Sequence, residues 1–319
     1  MTRVLIHNDQ TTALTDRLTV AAPDVSFTAC NTYADLPDAL QSFQPDIVYT
    51  VRFAGTPDYP RDALFGDRGP RWIANGGVGI DHFGHWDPEK TTVTNAAGVA
   101  ADMMAEYVLG GFLHISLDIP GLKRDQANKV WTPRQVVPLK GKTLLILGLG
   151  HTGRALAERA KAFGMAVIGT RANPQPTPFV DQVAAATDLH RLLPKADAIA
   201  VCTPLTPETR HLIGAREIAR MKPGVLFADV SRGGVVDQIA LAEALASGQI
   251  RGAALDVFET EPLPPDSPFW DMDNVVVSPH CSSVYEGWEL ASFDLFLRNL
   301  VRWQSGQPLF NIVNPMRGY

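Results

Sequence analysis

The stretch TLLILGLGHTGRALAERAKAF, residues 143–163, restricts the fold more than any other. An apolar run meets three glycines, Gly148, Gly150 and Gly153, and passes directly into a helical pattern in which Leu156, Ala160 and Phe163 recur at i, i+4 and i+7. Strand, glycine turn and helix in that order open a dinucleotide-binding βαβ unit. The first glycine permits the tight turn, the second lets backbone approach a pyrophosphate, and the third lets helix pack on strand. The helix N-terminus then offers free N–H groups and a partial positive charge to the phosphates.

The rest of the chain continues the alternation. VLIH, DIVYTV (46–51), WIANGGVG from 72 and TTVTN (91–95) form one series of short apolar runs. A second series runs through TLLILGLG (143–150), AVIGT (166–170), AIAVCT (198–203), VLFADVS (225–231), AALDV (253–257) and VVVSPH (275–280). Strands alternating with helical patterns predict an α/β chain of two Rossmann-like or flavodoxin-like domains with parallel sheets. Residues 98–282 are expected to form the dinucleotide-binding domain, and residues 1–97 plus 283–319 a substrate-binding domain. AADMMAEYVLGGFLHISLDI reads as one long connecting helix. YEGWELASFDLFLRNLVRWQSG (285–306) is amphipathic, with Trp288, Leu295, Leu300 and Trp303 on or near one face and Gly306 placed to stop it.

Composition excludes several classes. The chain has 319 residues, 45% apolar and 19% charged, which suits two globular domains. A formal charge of −6 leaves no electrostatic footprint for nucleic acid or an anionic membrane. No apolar stretch approaches membrane-spanning length, and MTRVLIHNDQ reads as a first strand, not a signal peptide. Cys30, Cys202 and Cys281 are odd in number and far apart, as expected of reduced thiols in a cytoplasmic protein.

A NAD-type fingerprint places a carboxylate about 20 residues past the first glycine, at the end of the second strand. Here that strand runs into Thr170 and Arg171. A carboxylate would repel a 2′-phosphate, whereas a guanidinium binds it through charge-assisted hydrogen bonds and Thr170 can add a hydroxyl. The expected cofactor is therefore NADP(H), with NAD(H) still possible. The plainer alternative is that Arg171 is a solvated loop cation.

Beyond the glycine loop, the chain carries NGGVGIDHF (75–83), NAAGVAADMMAEYVLG (95–110), LKGKTLLILGLGHTGRALAERAKAFGM (139–165), CTPLTPETRHLI (202–213), MKPGVLFADVSRGGVVDQ (221–238), GAALDVFETEPLP (252–264) and VVVSPH (275–280). With these motifs, which cover most of its length, it resembles the D-isomer-specific 2-hydroxyacid dehydrogenases, a family that includes glyoxylate/hydroxypyruvate reductases and phosphoglycerate dehydrogenases. Reduction of a 2-oxo acid needs a hydride donor, a proton donor for the developing alkoxide and a clamp for the substrate carboxylate. His280, expected to end a strand, is the candidate acid, since imidazole titrates near neutrality. Glu261 can hydrogen-bond its other ring nitrogen, and Arg232 has the fork geometry to hold the carboxylate and carbonyl oxygens. The resemblance assigns these same roles to the same three residues.

On the substrate side, Gly77, Val78 and Gly79 form a loop whose N–H groups suit the other end of the carboxylate. Arg52 and Phe53 follow a strand end and are candidates for the variable group, which would put the active site in the cleft between the domains. DHFGH beside that loop is not expected to bind metal. The resemblance implies further cofactor contacts at Met103, Leu149, His151, Thr152, Cys202, Thr203, Pro204, Thr209, Val230, Ser231 and Ser282, and a nicotinamide contact at Asp256. Cys281, Ser282 and Ser283 depart from the common pattern of an apolar residue followed by glycine or alanine. Cys281 is not expected to be a nucleophile, because adjacent strand residues point to opposite faces.

The resemblance also implies a homodimer, formed through the helix around Met103 to Ile115. Glyoxylate and hydroxypyruvate are the favoured substrates. A phosphoglycerate dehydrogenase is the nearest alternative, opposed by the acid-free strand and the absence of an added regulatory domain before Tyr319. Formate dehydrogenases on this scaffold lack the histidine's glutamate partner, and corepressors on it use the dinucleotide site to control assembly. An intact set of Arg232, Glu261 and His280 favours an enzyme.

Overall fold

The computed structural model describes residues 1–52, 58–66 and 69–315. The chain divides into two compact units, the first from residues 1–99 and 286–319 and the second from residues 100–285.

The first unit is built on five parallel strands: β1 (Arg3–His7), β2 (Ser26–Cys30), β3 (Ile47–Thr50), β4 (Trp72–Asn75) and β5 (Thr92–Thr94), in the order β2-β1-β3-β4-β5. Both faces are covered, so the central strands read as continuous apolar runs. Alternation along each strand sends Val4, Ile6, Tyr49 and Trp72 to one face, where Phe293, Phe296 and Leu300 of the helix Trp288–Gln304 pack. Leu5, Val48 and Ile73 go to the other face, against Leu36, Leu64, Phe83 and Trp86. The expected stripe on the C-terminal helix is partly displaced. Leu295 and Leu300 are buried and Trp303 stacks on Trp72, but Trp288 is only half-buried, and Phe293 and Phe296 make the ring contacts with Tyr49. Gly306, with φ of 64°, follows the helix end.

The second unit has seven parallel strands: β6 (Thr143–Leu147), β7 (Ala166–Arg171), β8 (Gln182–Ala185), β9 (Ala198–Val201), β10 (Val225–Asp229), β11 (Ile250–Leu255) and β12 (Val275–Val277). Their order is β12-β11-β10-β9-β6-β7-β8. The chain order reverses between β6 and β9, and this switch point is where an open α/β sheet forms a crevice at its carboxyl ends.

The expected connecting helix forms as Ala101–Ser116, and a second helix, Ile119–Asn128, follows it after a left-handed Asp118 whose carboxylate accepts from the Gly121 N–H at 3.2 Å. Pro120 fits only the first turn of a helix, so DIPG starts a new one. Phe163 leaves the apolar stripe: it is the C-terminal cap of His151–Ala162 and 42% exposed, and the buried face is Gly153, Leu156, Ala157 and Ala160. Strands β2 and β8, SFTAC and QVAA, add to the expected series; each is a short, partly polar edge strand without a continuous apolar run.

Candidate active site

The glycine loop lies at the carboxyl end of β6. Gly148 has φ of 101°, and a Cβ there would meet the Cys202 carbonyl oxygen at 2.9 Å and Thr203 N at 3.0 Å. A Cβ on Gly153 would lie 2.0 Å from the Gly148 carbonyl oxygen, so this glycine sets how closely the helix approaches the loop. At Gly150 the same construction meets nothing within 4 Å. Two glycines thus make room for protein and one faces open space at a helix N-terminus, an arrangement that fits a pyrophosphate.

The loop is tied to β7, where the Thr170 carbonyl accepts from the N–H groups of Gly148 and Leu149 at 3.2 and 3.1 Å. Thr170 itself is buried. Arg171 is the half-exposed member of the pair, and its side chain makes no hydrogen bond or ion pair among the described residues. Arg154, which the sequence reading missed, donates to the Leu149 carbonyl at 3.2 Å and lies 3.5 Å from His151 Nδ1. Partial burial, and then this arginine's charge, lower the His151 pKa.

Other residues expected at the cofactor have their side chains turned to protein. Leu149 is buried. Thr209 donates to the Pro204 carbonyl at 2.6 Å and accepts from Thr206 N at 2.7 Å, stapling the turn after Thr203. Val230 and Ser231 are buried, and the Ser231 hydroxyl donates to Asp229 at 2.5 Å. Met104, the neighbour of the half-buried Met103, is the methionine in contact with the Thr152 hydroxyl, at 3.5 Å. Burial pushes the Cys202 thiol up to about 12.

The structure brings His280 and Glu261 together. His280 Nδ1 lies 2.9 Å from Glu261 Oε2, while Glu261 Oε1 accepts from the Phe258 N–H at 3.0 Å. A carboxylate can only accept, so Nδ1 carries the proton and Nε2 is left for other work. Partial burial works to raise the Glu261 pKa. The His280 hydrogen bond, the Phe258 N–H and the charges of His280 and Arg232 outweigh it, holding Glu261 below the usual carboxylate range. Arg232 donates to the Ser231 carbonyl at 2.7 Å. At the end of β10, burial lifts the Asp229 carboxyl to about 7 against the Ser231 hydrogen bonds, helped by the nearby Asp256 charge.

His280 does not end a strand as expected, because β12 stops at Val277. The next residues turn, and His280 takes a left-handed φ of 51°. Cys281 thus lies in a turn and not in a strand, so strand alternation does not set its side chain opposite His280; its exposed thiol has a raised pKa, chiefly through desolvation and then the Asp256 charge. Asp256, buried at 2% exposure, accepts at Oδ1 from the Cys281 and Ser282 N–H groups (2.8 and 3.1 Å) and the Ser278 hydroxyl (2.6 Å). Its Oδ2 takes the Ser282 hydroxyl at 2.5 Å. Ser282 is thus bound to Asp256, a link invisible in the sequence because 26 residues separate them.

In the first unit, the Asn75 side-chain amide donates to the carbonyls of Gly77 and Gly79, both at 2.9 Å, and Asn95 to that of Val78 at 2.9 Å. With their carbonyls held, the N–H groups of Val78 and Gly79 have no acceptor among the described residues. His82 is pushed down to about 4, mainly by burial and then by the Arg52 charge. Arg52 is exposed, and Phe53 lies outside the described residues. Among the described residues there is no group of three or more His, Cys, Asp or Glu side chains suited to a metal, and no helix long and apolar enough to cross a membrane.

The family model described as "D-isomer specific 2-hydroxyacid dehydrogenase, NAD binding domain" matches residues 109–282. The chain is 36% identical over 256 residues to D-3-phosphoglycerate dehydrogenase of Methanocaldococcus jannaschii, covering 76% of this chain but 47% of that protein, so it spans about half of that relative's length. It is 34% identical over 265 residues to glyoxylate reductase of Korarchaeum cryptofilum, covering 80% of each. A crystal structure of a D-isomer specific 2-hydroxyacid dehydrogenase from Xanthobacter autotrophicus Py2, in complex with NADPH and MES, superimposes with a TM-score of 0.83 at 30% identity, covering 100% of both chains. With two parallel α/β sheets, a glycine loop shaped for a pyrophosphate and a histidine–glutamate pair near an arginine, the chain belongs to the D-isomer specific 2-hydroxyacid dehydrogenase family and is an NAD(P)-dependent oxidoreductase.

Proposed function

We propose that the protein reduces a small 2-oxo acid of the glyoxylate or hydroxypyruvate kind to its 2-hydroxy acid, with NADPH preferred over NADH. The bound nicotinamide cofactor supplies the hydride. Arg232 pairs with the substrate's carboxylate and carbonyl oxygens, and His280 delivers a proton from Nε2 to the developing alkoxide. Glu261 holds the imidazole in the tautomer this needs and offsets its positive charge. The N–H groups of Val78 and Gly79 are offered to a small carboxylate. The observation that carries this reading is the 2.9 Å contact between His280 Nδ1 and Glu261, with the charge of Arg232 acting on the same carboxylate.

Support for NADPH comes from Arg171, half-exposed at the end of β7 with no side-chain partner among the described residues, and from the NADPH complex of the Xanthobacter relative. In this reading residues 1–97 with 283–319 bind substrate, residues 98–282 bind the dinucleotide, and the protein works as a cytoplasmic homodimer. A single elution volume at monomer mass in gel filtration at micromolar concentration would remove the dimer. A second reading, a substrate bearing another anionic group as in phosphoglycerate dehydrogenases, rests on the exposed Arg52.

Steady-state rates with glyoxylate, hydroxypyruvate, pyruvate, phenylpyruvate and a phosphorylated 2-oxo acid, each with both cofactors, test the proposal. The expected result is kcat/KM at least about tenfold higher with NADPH, equivalent to ~1.4 kcal/mol in the transition state, and highest with the two smallest oxo acids. Equal or better use of NADH would overturn the cofactor preference.

A further inference from the structure

We propose that Ser282, Ser278 and Tyr107 are positioning residues for His280: they hold the Asp256 side chain in place inside a backbone nest, and that nest fixes the left-handed His280 against Glu261. The inference rests on the role proposed above for His280. A left-handed φ of 51° is unfavourable for a residue with a Cβ, so the surrounding structure must impose it.

Asp256 is the group that does so. The consecutive N–H groups of Cys281 and Ser282 converge on its Oδ1 at 2.8 and 3.1 Å, and Ser282 N also lies 3.1 Å from Oδ2. His280 N in turn donates to the Asp256 main-chain carbonyl at 2.9 Å. Successive N–H groups around a left-handed residue form an anion-binding concavity, and here the anion is the chain's own side chain.

The hydroxyls fix where that carboxylate sits. Ser282 donates to Oδ2 at 2.5 Å, and the Ser278 hydroxyl lies 2.6 Å from Oδ1 and 2.7 Å from the Tyr107 hydroxyl. A carboxylate only accepts, so the Ser278 proton goes to Asp256 and Tyr107 donates to Ser278. The relay ties the His280 turn to the helix Ala101–Ser116. Burial, opposed by the Ser278 contact and helped by the Asp256 charge, pushes the Tyr107 phenol up to about 12, so it remains a donor at working pH. Asp256 and Ser282 are each 2% exposed, and water cannot easily replace a lost hydroxyl there.

The test uses the full chain. Ser282→Ala is expected to lower kcat about tenfold or more while KM for the oxo acid and Kd for NADPH stay within about twofold, the split expected when only transition-state geometry is disturbed. Ser282→Thr, which keeps the hydroxyl, should restore kcat to within about threefold, and Tyr107→Phe should lower it about threefold. Proton NMR gives a readout independent of turnover. A downfield His280 Nδ1–H resonance, assigned by its loss in His280→Gln, should broaden in Ser282→Ala and persist in Ser282→Thr. Wild-type kcat with an unchanged resonance in Ser282→Ala, even with a lower Tm, would overturn the proposal; if that variant does not fold, an unchanged kcat and resonance in Tyr107→Phe would do the same. If the wild-type protein reduces none of the oxo acids, the proposed function fails, and the resonance still decides whether the serines and tyrosine position His280.

Discussion

Burial acts on different side chains at the strand ends of the two units, on carboxyls in the second and on histidines in the first. In the second unit, acids and cations are gathered at the carboxyl ends of the strands: Asp229 lifted to about 7 by burial, Asp256 wrapped by five donor contacts, and Glu261 held low beside His280 and Arg232. In the first unit, His7 and His82 are pushed down to about 4 by burial, and the Gly77–Gly79 loop is shaped by side-chain amides. Burial acts on both, but it neutralises a histidine by keeping a proton off and an aspartate by keeping one on.

The largest expected effect is at the proposed proton donor. His280→Ala should lower kcat about 10³-fold, with NADPH binding retained in a fluorescence titration. Near-wild-type turnover would show that the second unit does not handle the proton through this residue.

Next in size are the pH dependences of stability, which should run in opposite directions. As pH falls from about 6.5 to 4, the unfolded chain takes up a proton that buried His7 refuses, so His7 costs the fold stability over that window. As pH rises from about 4 to 7, the unfolded chain releases a proton that Asp229 retains, so Asp229 costs stability there. Relative to wild type, His7→Gln should therefore gain about 2 kcal/mol on going from pH 7.5 to pH 5, and Asp229→Asn a similar amount in the other direction, in urea unfolding. A pH-independent difference for either variant would remove that unit's half of the contrast.

The smallest effect concerns the cofactor. Arg171→Ala should reduce the NADPH-to-NADH ratio of kcat/KM by about tenfold, ~1.4 kcal/mol, with the loss on the NADPH side. An equal loss with both cofactors would make Arg171 a general contact instead of a reader of the 2′-phosphate.

Legibility in the sequence followed the locality of each feature. The glycine loop was readable because Gly148, Gly150 and Gly153 lie in one strand–turn–helix, and most strands were readable because both faces of each sheet are covered and the central strands are continuously apolar. Strands β2 and β8 were not, since SFTAC and QVAA are short and partly polar, without a continuous apolar run. Roles for Arg232, Glu261 and His280 could be assigned by chemistry, but not the turn that carries His280 past the end of β12. Arg154 and Tyr107 look like ordinary helix residues, and only the folded chain shows what they touch.

By itself, then, the sequence determined the α/β class, the glycine loop and the residue types available for proton transfer and anion binding. All of these are set by local periodicity, backbone sterics and side-chain chemistry. Only the tertiary structure decided that Asp256 faces Ser278, Cys281 and Ser282, that Asp229 is buried enough to hold a proton near neutrality, and that Leu149, Thr209 and Ser231 serve the scaffold with their side chains. The physical reason is that desolvation and hydrogen-bond partnership depend on which distant segments meet, and a parallel sheet brings together strand ends that the sequence keeps more than 20 residues apart.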